Sequence, residues 1–451
     1  MRLSFHGGVR SVTGSNYLIE SGDTRALVDC GLHQGSYVCE VDNYDKFPYD
    51  PASIDVLFVT HAHIDHVGRI PKFYREGFRG KIFSTPPTKE FAEELLLDSM
   101  DLLKREAKRC QKKPIYEAAD VEGAMGLWKT EGYHRRIVVK DMTAEFYDAG
   151  HILGSSSVML EAEGKKIIFS GDLGNSPASL IKGFEEVKGA DYAVMESTYG
   201  NRLHQDVLER RSLLEDVIED TLKKGGALVI PAFAMERAQE LLSELNELVE
   251  NGRIPRVPVF LDSPLAIKLT AIYKKYERDS QYFNQESLRS VRGGDAVFQF
   301  PGLQMVLKTK DSRHIKDVPN PKIIIAGSGM SQGGRIVYHE KAYLPDERST
   351  ILFVGYQAQN SLGRRILDGE KSVEIMDELV PVRASVRSID GYSAHADQNL
   401  LLKWLKSMKY GLKALYLVHG EEDQTTPLAQ KIGDFMAINT VIPEVGETVV
   451  L

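Results

Sequence analysis

At 451 residues, 42% hydrophobic and 27% charged, the chain is an ordinary globular protein with room for two domains, or for one large domain carrying an insertion. A formal net charge of -8 excludes a global basic field aimed at nucleic acid or membrane, so any polyanion must be held by local patches and metal ions. No stretch approaches the roughly 18 apolar residues of a membrane span, the N-terminus lacks a hydrophobic signal core, and three cysteines (Cys30, Cys39 and Cys110) are too few for a disulfide framework; a soluble, cytoplasmic protein with reduced cysteines is expected.

The first sixty residues read as short strands, Leu3 to Phe5, Asn16 to Glu20 and Ala26 to Asp29, separated by glycine-containing turns. Asp29 lies at a strand end, where it either orients metal-site residues or forms a turn before Gly31. Val56 to Val59 is a buried strand that breaks into Thr60-His61-Ala62-His63-Ile64-Asp65-His66. Imidazole nitrogens with a carboxylate oxygen form a donor set suited to zinc. Four donors in six residues cannot all close on one tetrahedral ion without strain, so the spacing points to two adjacent metals.

Thr88 to Cys110 has helical spacing and leads into a basic run, Lys104, Arg105, Lys108, Arg109, Lys112 and Lys113, which is either a solvated helix face or a phosphate-tracking patch. Ala118 to Thr130 is a second expected helix. Ile137 to Tyr147 reads as a strand ending in Asp148-Ala149-Gly150-His151, and His151 is a candidate third ligand of the first metal. The strand Lys166 to Ser170 ends in Gly171-Asp172, where a carboxylate can bridge two ions with its two oxygens. Ala193 to Met195 runs into Glu196. Metal-binding or catalytic residues gathered at one end of a β-layer are what an α/β metallohydrolase requires.

From about residue 206 helices (Asp206 to Lys223, Met235 to Glu250) alternate with strands (Ala227 to Pro231, Val257 to Leu261, Lys322 to Ala326, Ile351 to Val354), as in a small doubly wound α/β domain. The polar segment Arg278 to Asp295 is expected to be loop or irregular helix. The glycine-rich stretch 327–334, with Ser328 and Gly329, precedes a helix; it either cradles phosphate or makes a tight strand-to-helix turn. Arg237, Arg364 and Arg365 are candidate charge contacts. The last section returns to the pattern of the opening, with His395 just before a helix from Asn399 to Lys406 and a strand Leu415 to Val418 ending at His419-Gly420.

These residues closely resemble the metallo-β-lactamase superfamily and, within it, the β-CASP nucleases. The signature H-x-H-x-D-H stands as His61, His63, Asp65 and His66, with later ligands at His151 and Asp172 and the early aspartate at Asp29. The β-CASP motifs stand as Glu196, His395 in Gly391-Tyr392-Ser393-Ala394-His395, and His419 before glycine. Pro231-Ala232-Phe233-Ala234, Asp262-Ser263-Pro264-Leu265-Ala266 and Gly355 to Arg364 also look like the family. The likeness spans the chain and is nearest to prokaryotic relatives of the endonuclease subunit of the cleavage and polyadenylation specificity factor. Two departures are Glu236 and Asn360, at positions where glycine is common among such proteins.

The resemblance implies a metallo-β-lactamase αββα sandwich (1–205 and 383–451) with an inserted β-CASP α/β domain (206–382). It implies two Zn2+ ions per chain, one held by His61, His63 and His151, the other by Asp65, His66 and His419, with Asp172 shared. Hydroxide activated by the metals attacks phosphorus in line, and His395, oriented by Glu196, protonates the departing 3′ oxygen. The expected activity is hydrolysis of single-stranded RNA to 3′-hydroxyl and 5′-phosphate ends, with internal cuts and with 5′ trimming left open, as is a homodimer. A DNA nuclease of the same family is the nearest alternative, since this chemistry needs no 2′-hydroxyl; a small-ester hydrolase has no use for Glu196, His395 or the insertion.

Overall fold

The computed structural model describes residues 1–34, 43–204, 207–294 and 296–451, with the side chains of 207, 208 and 390 left out. Cys39, Asp206 and Asp295 therefore lie outside the described residues. The chain divides into two compact units, one of residues 1–176, 182–203 and 395–451, the other of residues 177–181 and 204–394.

The first unit is built on two mixed seven-stranded sheets. One runs, in spatial order, Thr448–Val450, Arg2–Gly7, Asn16–Ser21, Thr24–Val28, Val56–Phe58, Lys81–Ser84 and Trp128–Thr130. The other runs Thr440–Val441, Ala414–Val418, Tyr192–Glu196, Lys165–Phe169, Ser156–Ala162, Met142–Asp148 and Ile137–Val139. Their inner faces meet through apolar rings: Tyr17 stacks on Phe169 with centroids 5.9 Å apart, and Phe5 packs at a tilt against Tyr416 at 5.4 Å. Helices cover the outer faces. Gln398–Lys406 and Glu422–Met436 bury Leu401, Trp404, Leu405, Leu428 and Ile432 with Ile168, Ala193 and Leu415 of the second sheet. Pro86–Arg109, which buries Phe91, Ala92, Leu95 and Leu96, belongs to the helical layer of the first sheet. This is the αββα sandwich.

Strand direction positions the site. Thr24–Val28 and Val56–Phe58 are parallel neighbours in one sheet; Lys165–Phe169, Tyr192–Glu196 and Ala414–Val418 are parallel neighbours in the other. Met142–Asp148 lies two antiparallel steps from Lys165–Phe169 and so shares its direction. The chain therefore leaves the strands that precede Asp29, His61, His151, Asp172 and His419 along a common edge of each sheet, with Glu196 itself ending its strand.

Three sequence expectations need correcting here, and one unassigned segment gains a strand. The expected helix 118–130 ends at Leu127, and Trp128–Thr130 is a strand paired with Lys81–Ser84, drawn in by the Trp128 indole, whose Nε1 donates to Ser84 Oγ at 2.9 Å. The expected strand 137–147 is a hairpin turning at Lys140, whose φ is 51°. Ser156–Ala162, to which the sequence alone assigns no element, is a central strand; Ser156 Oγ donates to Thr60 O and Ser157 Oγ to Ser170 O, which lets the hydroxyls be buried. Of the described cysteines Cys30 is a buried free thiol, but Cys110 is disulfide-bonded, contrary to the expectation of reduced cysteines.

The second unit centres on a six-stranded sheet in which every neighbouring pair is parallel: Leu303–Met305, Val259–Asp262, Lys322–Ala326, Ala227–Pro231, Thr350–Phe353 and Ser385–Ser388. Ala227–Pro231, Val259–Asp262, Lys322–Ala326 and Thr350–Phe353 are buried at every position, as a sheet covered on both faces requires. Because Ser385–Ser388 joins this sheet, the unit runs beyond position 382 to Ala394. Within the polar segment expected to be irregular, Gln285–Arg292 is a helix capped by the Asn284 side chain. Glu236 (φ 61°) and Asn360 (φ 65°) both sit in the left-handed region that glycine enters without cost.

Candidate metal centre

Asp29 anchors the histidine loop. Its own φ is 59°, which turns the carboxylate back onto the loop. Its Oδ1 accepts from Thr60 N and its Oδ2 from Thr60 Oγ1, each at 2.8 Å, while Oδ2 is also 2.7 Å from His66 Nδ1. That fixes the His66 ring with Nε2 facing away from Asp29. The one-turn helix Ile64–Val67 then sets Asp65 and His66 side by side.

Two groups of donors result. His61, His63, His151 and Asp172 form one; Asp65, His66, Asp172 and His419 form the other. In the first, His61 Nε2 is 3.0 Å from His63 Nδ1 and 3.3 Å from Asp172 Oδ2, and His151 Nε2 is 3.1 Å from His63 Nδ1 and 3.6 Å from Asp172 Oδ2. In the second, His66 Nε2 is 3.3 Å from Asp172 Oδ1 and 3.8 Å from Asp65 Oδ2, and His419 Nε2 is 3.6 Å from each of those oxygens. A tetrahedron of N and O donors around zinc at its usual bond lengths has edges of about 3.3 Å. Both groups have that size. Asp172 turns Oδ2 to one and Oδ1 to the other.

A test of fit comes from atoms left without partners. His66 Nε2 and Asp172 Oδ1 are buried and unbonded although only 3.3 Å apart, so both aim at a common point rather than at each other. An orphaned buried donor–acceptor pair of this kind is costly unless a cation takes the place between them. The donor set, five imidazoles and two carboxylates, suits zinc.

Electrostatics point the same way. Burial pushes His63 and His419 down to about 3, and burial together with the neighbouring imidazoles lowers His61 and His151 well below the usual histidine value. These rings are held in the neutral form that binds metal. Burial alone would depress His66 too, but Asp172, Asp29 and Asp65 outweigh it and raise its value. Burial would raise Asp172, yet the surrounding His419, His66 and His61 bring it well below the carboxylate range. Burial pushes Asp65 up to about 6.

His395 stands beside this centre. Its Nδ1 is 3.2 Å from Glu196 Oε2, and its ring centroid is 4.5 Å from that of His151. Glu196 is fully buried and its Oε1 accepts from Leu173 N at 2.6 Å, so the residue after Asp172 and the orienter of His395 are tied together. Burial would lower His395, but the Glu196 charge and hydrogen bond, with Asp172 and Asp65 beyond, raise it to about 9.

Sequence reasoning missed several residues here. Ser15 Oγ lies 3.1 Å from His419 Nδ1 across 404 positions of chain, and Thr60 Oγ1 lies 3.1 Å from His61 Nδ1. Ser197 Oγ donates to Val418 O and Thr198 Oγ1 to His419 O, fastening the loop after Glu196 to the loop of His419. Tyr199 meets His395 edge-on with centroids 5.9 Å apart. Small hydroxyl residues occur everywhere in a chain, and no local pattern marks these.

The candidate phosphate contacts all fall in the second unit. Ser328 Oγ accepts from Gln332 N at 3.0 Å, Gly329 O accepts from Gln357 Nε2 at 2.9 Å, and Ile336 N, at the start of the helix Ile336–Tyr343, donates to Gly327 O at 2.9 Å. These bonds close the glycine-rich stretch on itself. Arg237 is buried against Glu240, Arg364 pairs with Asp368 at 2.9 Å and Arg365 with Glu370 at 2.8 Å. In the first unit, Lys104, Arg105, Lys108, Arg109, Lys112 and Lys113 are all exposed; Lys108 and Arg109 lie in the last turn of Pro86–Arg109, where they complement the helix dipole.

Three sequence families match in chain order: the metallo-beta-lactamase superfamily over residues 10–216, the Beta-Casp domain over 238–366, and a Zn-dependent metallo-hydrolase RNA specificity domain over 379–443. Among characterised relatives, a ribonuclease of Thermus thermophilus is 38% identical over 95% of this chain and 95% of its own. An RNase J-like protein of Methanocaldococcus jannaschii is 32% identical over 98% of each chain. Transcription termination factor FttA of Methanosarcina mazei is 32% identical over 98% of this chain and 70% of its own. A crystal structure of a protein of unknown function from Enterococcus faecalis covers 100% of this chain and 99% of its own, with a TM-score of 0.59 at 13% identity, a likeness of fold alone.

Proposed function

The chain belongs to the β-CASP branch of the metallo-β-lactamase superfamily, and from that premise we propose that it is a zinc-dependent ribonuclease that hydrolyses single-stranded RNA to 3′-hydroxyl and 5′-phosphate ends. The observation that carries this reading is the division of Asp172 between two tetrahedron-sized donor groups with a Glu196-oriented histidine alongside. His61, His63 and His151 would hold one ion, Asp65, His66 and His419 the other, with Asp172 common to both. Bound zinc supplies activated water at neutral pH and charge to offset the scissile phosphate.

The remaining work falls to side chains of this chain. Asp29, Ser15 and Thr60 fix the rings of His66, His419 and His61 by their second nitrogens, which sets the tautomer that each presents to metal. His395 commits Nδ1 to Glu196, so Nε2 carries the proton given to the departing 3′ oxygen. Burial of Glu196 keeps that orientation free of competing water.

RNA is favoured over DNA because the segment holding His395 and His419 matches an RNA specificity domain and because a relative spanning nearly the same length is named as a ribonuclease. A small-ester hydrolase would not need the His395–Glu196 pair. RNA as substrate makes the cytoplasm the place of action; among the described residues no helix is long and apolar enough to cross a membrane.

The test is incubation of the purified protein with end-labelled and internally labelled RNA and DNA, beside a His395→Ala control. RNA cleavage that fails in the control is expected. Cleavage of DNA alone overturns the substrate, and undiminished cutting by the control removes His395 from the mechanism.

A further inference from the structure

The second unit contains a feature that the chemistry above does not use. Lys322–Ala326, Ala227–Pro231 and Thr350–Phe353 are adjacent parallel strands, so the loops that follow them leave the same edge of the sheet. In open parallel α/β sheets, ligands bind outside the carboxyl ends of the strands. Two of these loops, those after Lys322–Ala326 and Thr350–Phe353, are joined into one floor: Gln357 Nε2 donates to Gly329 O at 2.9 Å and to Gly355 O at 3.1 Å, and Gly363 N to Met330 O at 3.3 Å.

Phe233 lies on that floor. A Cβ at Gly329 would come within 2.6 Å of its Cδ2 and one at Gly355 within 3.5 Å of its Cε2. The Cδ2–Cε2 side of the ring thus rests on bare backbone, and at Gly329 any side chain would have to displace it. Yet Phe233 as a residue is 40% exposed, when full burial of a phenylalanine is worth about 1.5 to 3 kcal/mol. Tyr356, the residue after Gly355, is 54% exposed. The groups that hold the floor are backbone carbonyls, the Ser328 hydroxyl and the Gln357 amide rather than a contiguous apolar patch. That suits one planar π partner with polar edges better than an apolar protein segment, which needs a wider apolar contact.

We propose that Phe233, seated on Gly329 and Gly355, is a stacking platform for one nucleobase of a single-stranded substrate. The inference rests on the ribonuclease reading and adds to it a base-binding subsite in the second unit. Stacking of a base on an aromatic side chain contributes about 1 to 3 kcal/mol and is tolerant of sequence, since every base has a π face. The closing of the glycine-rich loop on itself is then the construction of the floor, not a phosphate cradle.

The experiment uses the full-length, zinc-loaded protein and a ten-nucleotide single-stranded RNA, with an abasic ribose-phosphate oligomer of the same length as the second probe. Phe233→Ala is expected to raise KM for the RNA by about 5- to 150-fold, the equivalent of 1 to 3 kcal/mol. Turnover at saturation and cleavage of the abasic oligomer should be unchanged, and Phe233→Trp should keep the wild-type KM. An unchanged KM in Phe233→Ala overturns the platform while leaving the ribonuclease reading intact. An equal loss on the abasic oligomer also overturns it, since the ring would then serve structure or another partner. Failure of the wild-type protein to cut any RNA overturns the ribonuclease reading itself, and the platform with it.

Discussion

His395 Nδ1 stands 3.2 Å from Glu196 Oε2, and the buried carboxylate is pinned at its other oxygen by Leu173 N, one residue after Asp172. The proposed proton donor is thereby registered to the residue common to both donor groups. His395→Ala should lower kcat by about 10²- to 10⁴-fold, the usual contribution of a positioned acid, with bound zinc unchanged by elemental analysis. Loss of zinc in that variant would make His395 a ligand instead.

The pH profile follows from the same pair. The acid form of His395 exists below its raised value of about 9, so kcat should fall as pH rises through that value. Bound dications repel a charged imidazole, which places the alkaline limb at or below about 9. Glu196→Gln removes the charge that raises His395 and should move the limb to lower pH. A limb that stays in place in Glu196→Gln would assign it to another group.

Asp29 touches no ion in this account, yet it holds both Thr60 and His66. Asp29→Asn should weaken zinc binding by about 10- to 100-fold, the range for a group that orients a ligand. Titration against a chromogenic chelator measures it, and wild-type affinity would show that the hydrogen bond to His66 does not matter.

The two donor groups can be separated by substitution. His419→Ala opens only the group that also holds Asp65 and His66, so zinc content should drop from two ions per chain toward one. Asp172→Asn strikes both and should deplete both. Equal zinc in wild type and His419→Ala would exclude a second ion at that place.

Metal should also stabilise the first unit, because the donors come from both sheets. Removing zinc with a chelator forfeits stability that amounts to ~2.7 kcal/mol when free metal stands at a hundred times Kd. For a unit of this size that corresponds to roughly 5 to 10 °C in Tm. Calorimetry before chelation, after it and after zinc is restored reads this directly; an unmoved Tm would mean that the donor groups do not bind zinc.

Much of the candidate site is legible because its donor residues follow strands: an apolar run that ends in histidine or aspartate marks His61, Asp172 and His419 without any knowledge of the fold. Polar strands and tertiary partners are not. Ser156–Ala162 carries no assignment in the sequence, and its hydroxyls find Thr60 O and Ser170 O only in the folded sheets. Ser15 reaches His419 only after the chain has returned from its far end. Trp128–Thr130 continued a helical pattern and became a strand because the Trp128 indole found Ser84. The candidate arginines were judged on charge alone, and the carboxylates that neutralise Arg364 and Arg365 stand four and five residues along, pairs that charge counting ignores.

The central claim is that a water molecule activated at the zinc centre, and not the ribose 2′-hydroxyl, breaks the phosphodiester bond. Cleavage of a defined RNA in oxygen-18-enriched water, followed by mass spectrometry of the fragments, tests it most directly. The account predicts one solvent oxygen in each new 5′-phosphate and a plain 3′-hydroxyl on the other fragment. A 2′,3′-cyclic phosphate facing an unlabelled 5′-hydroxyl would contradict it.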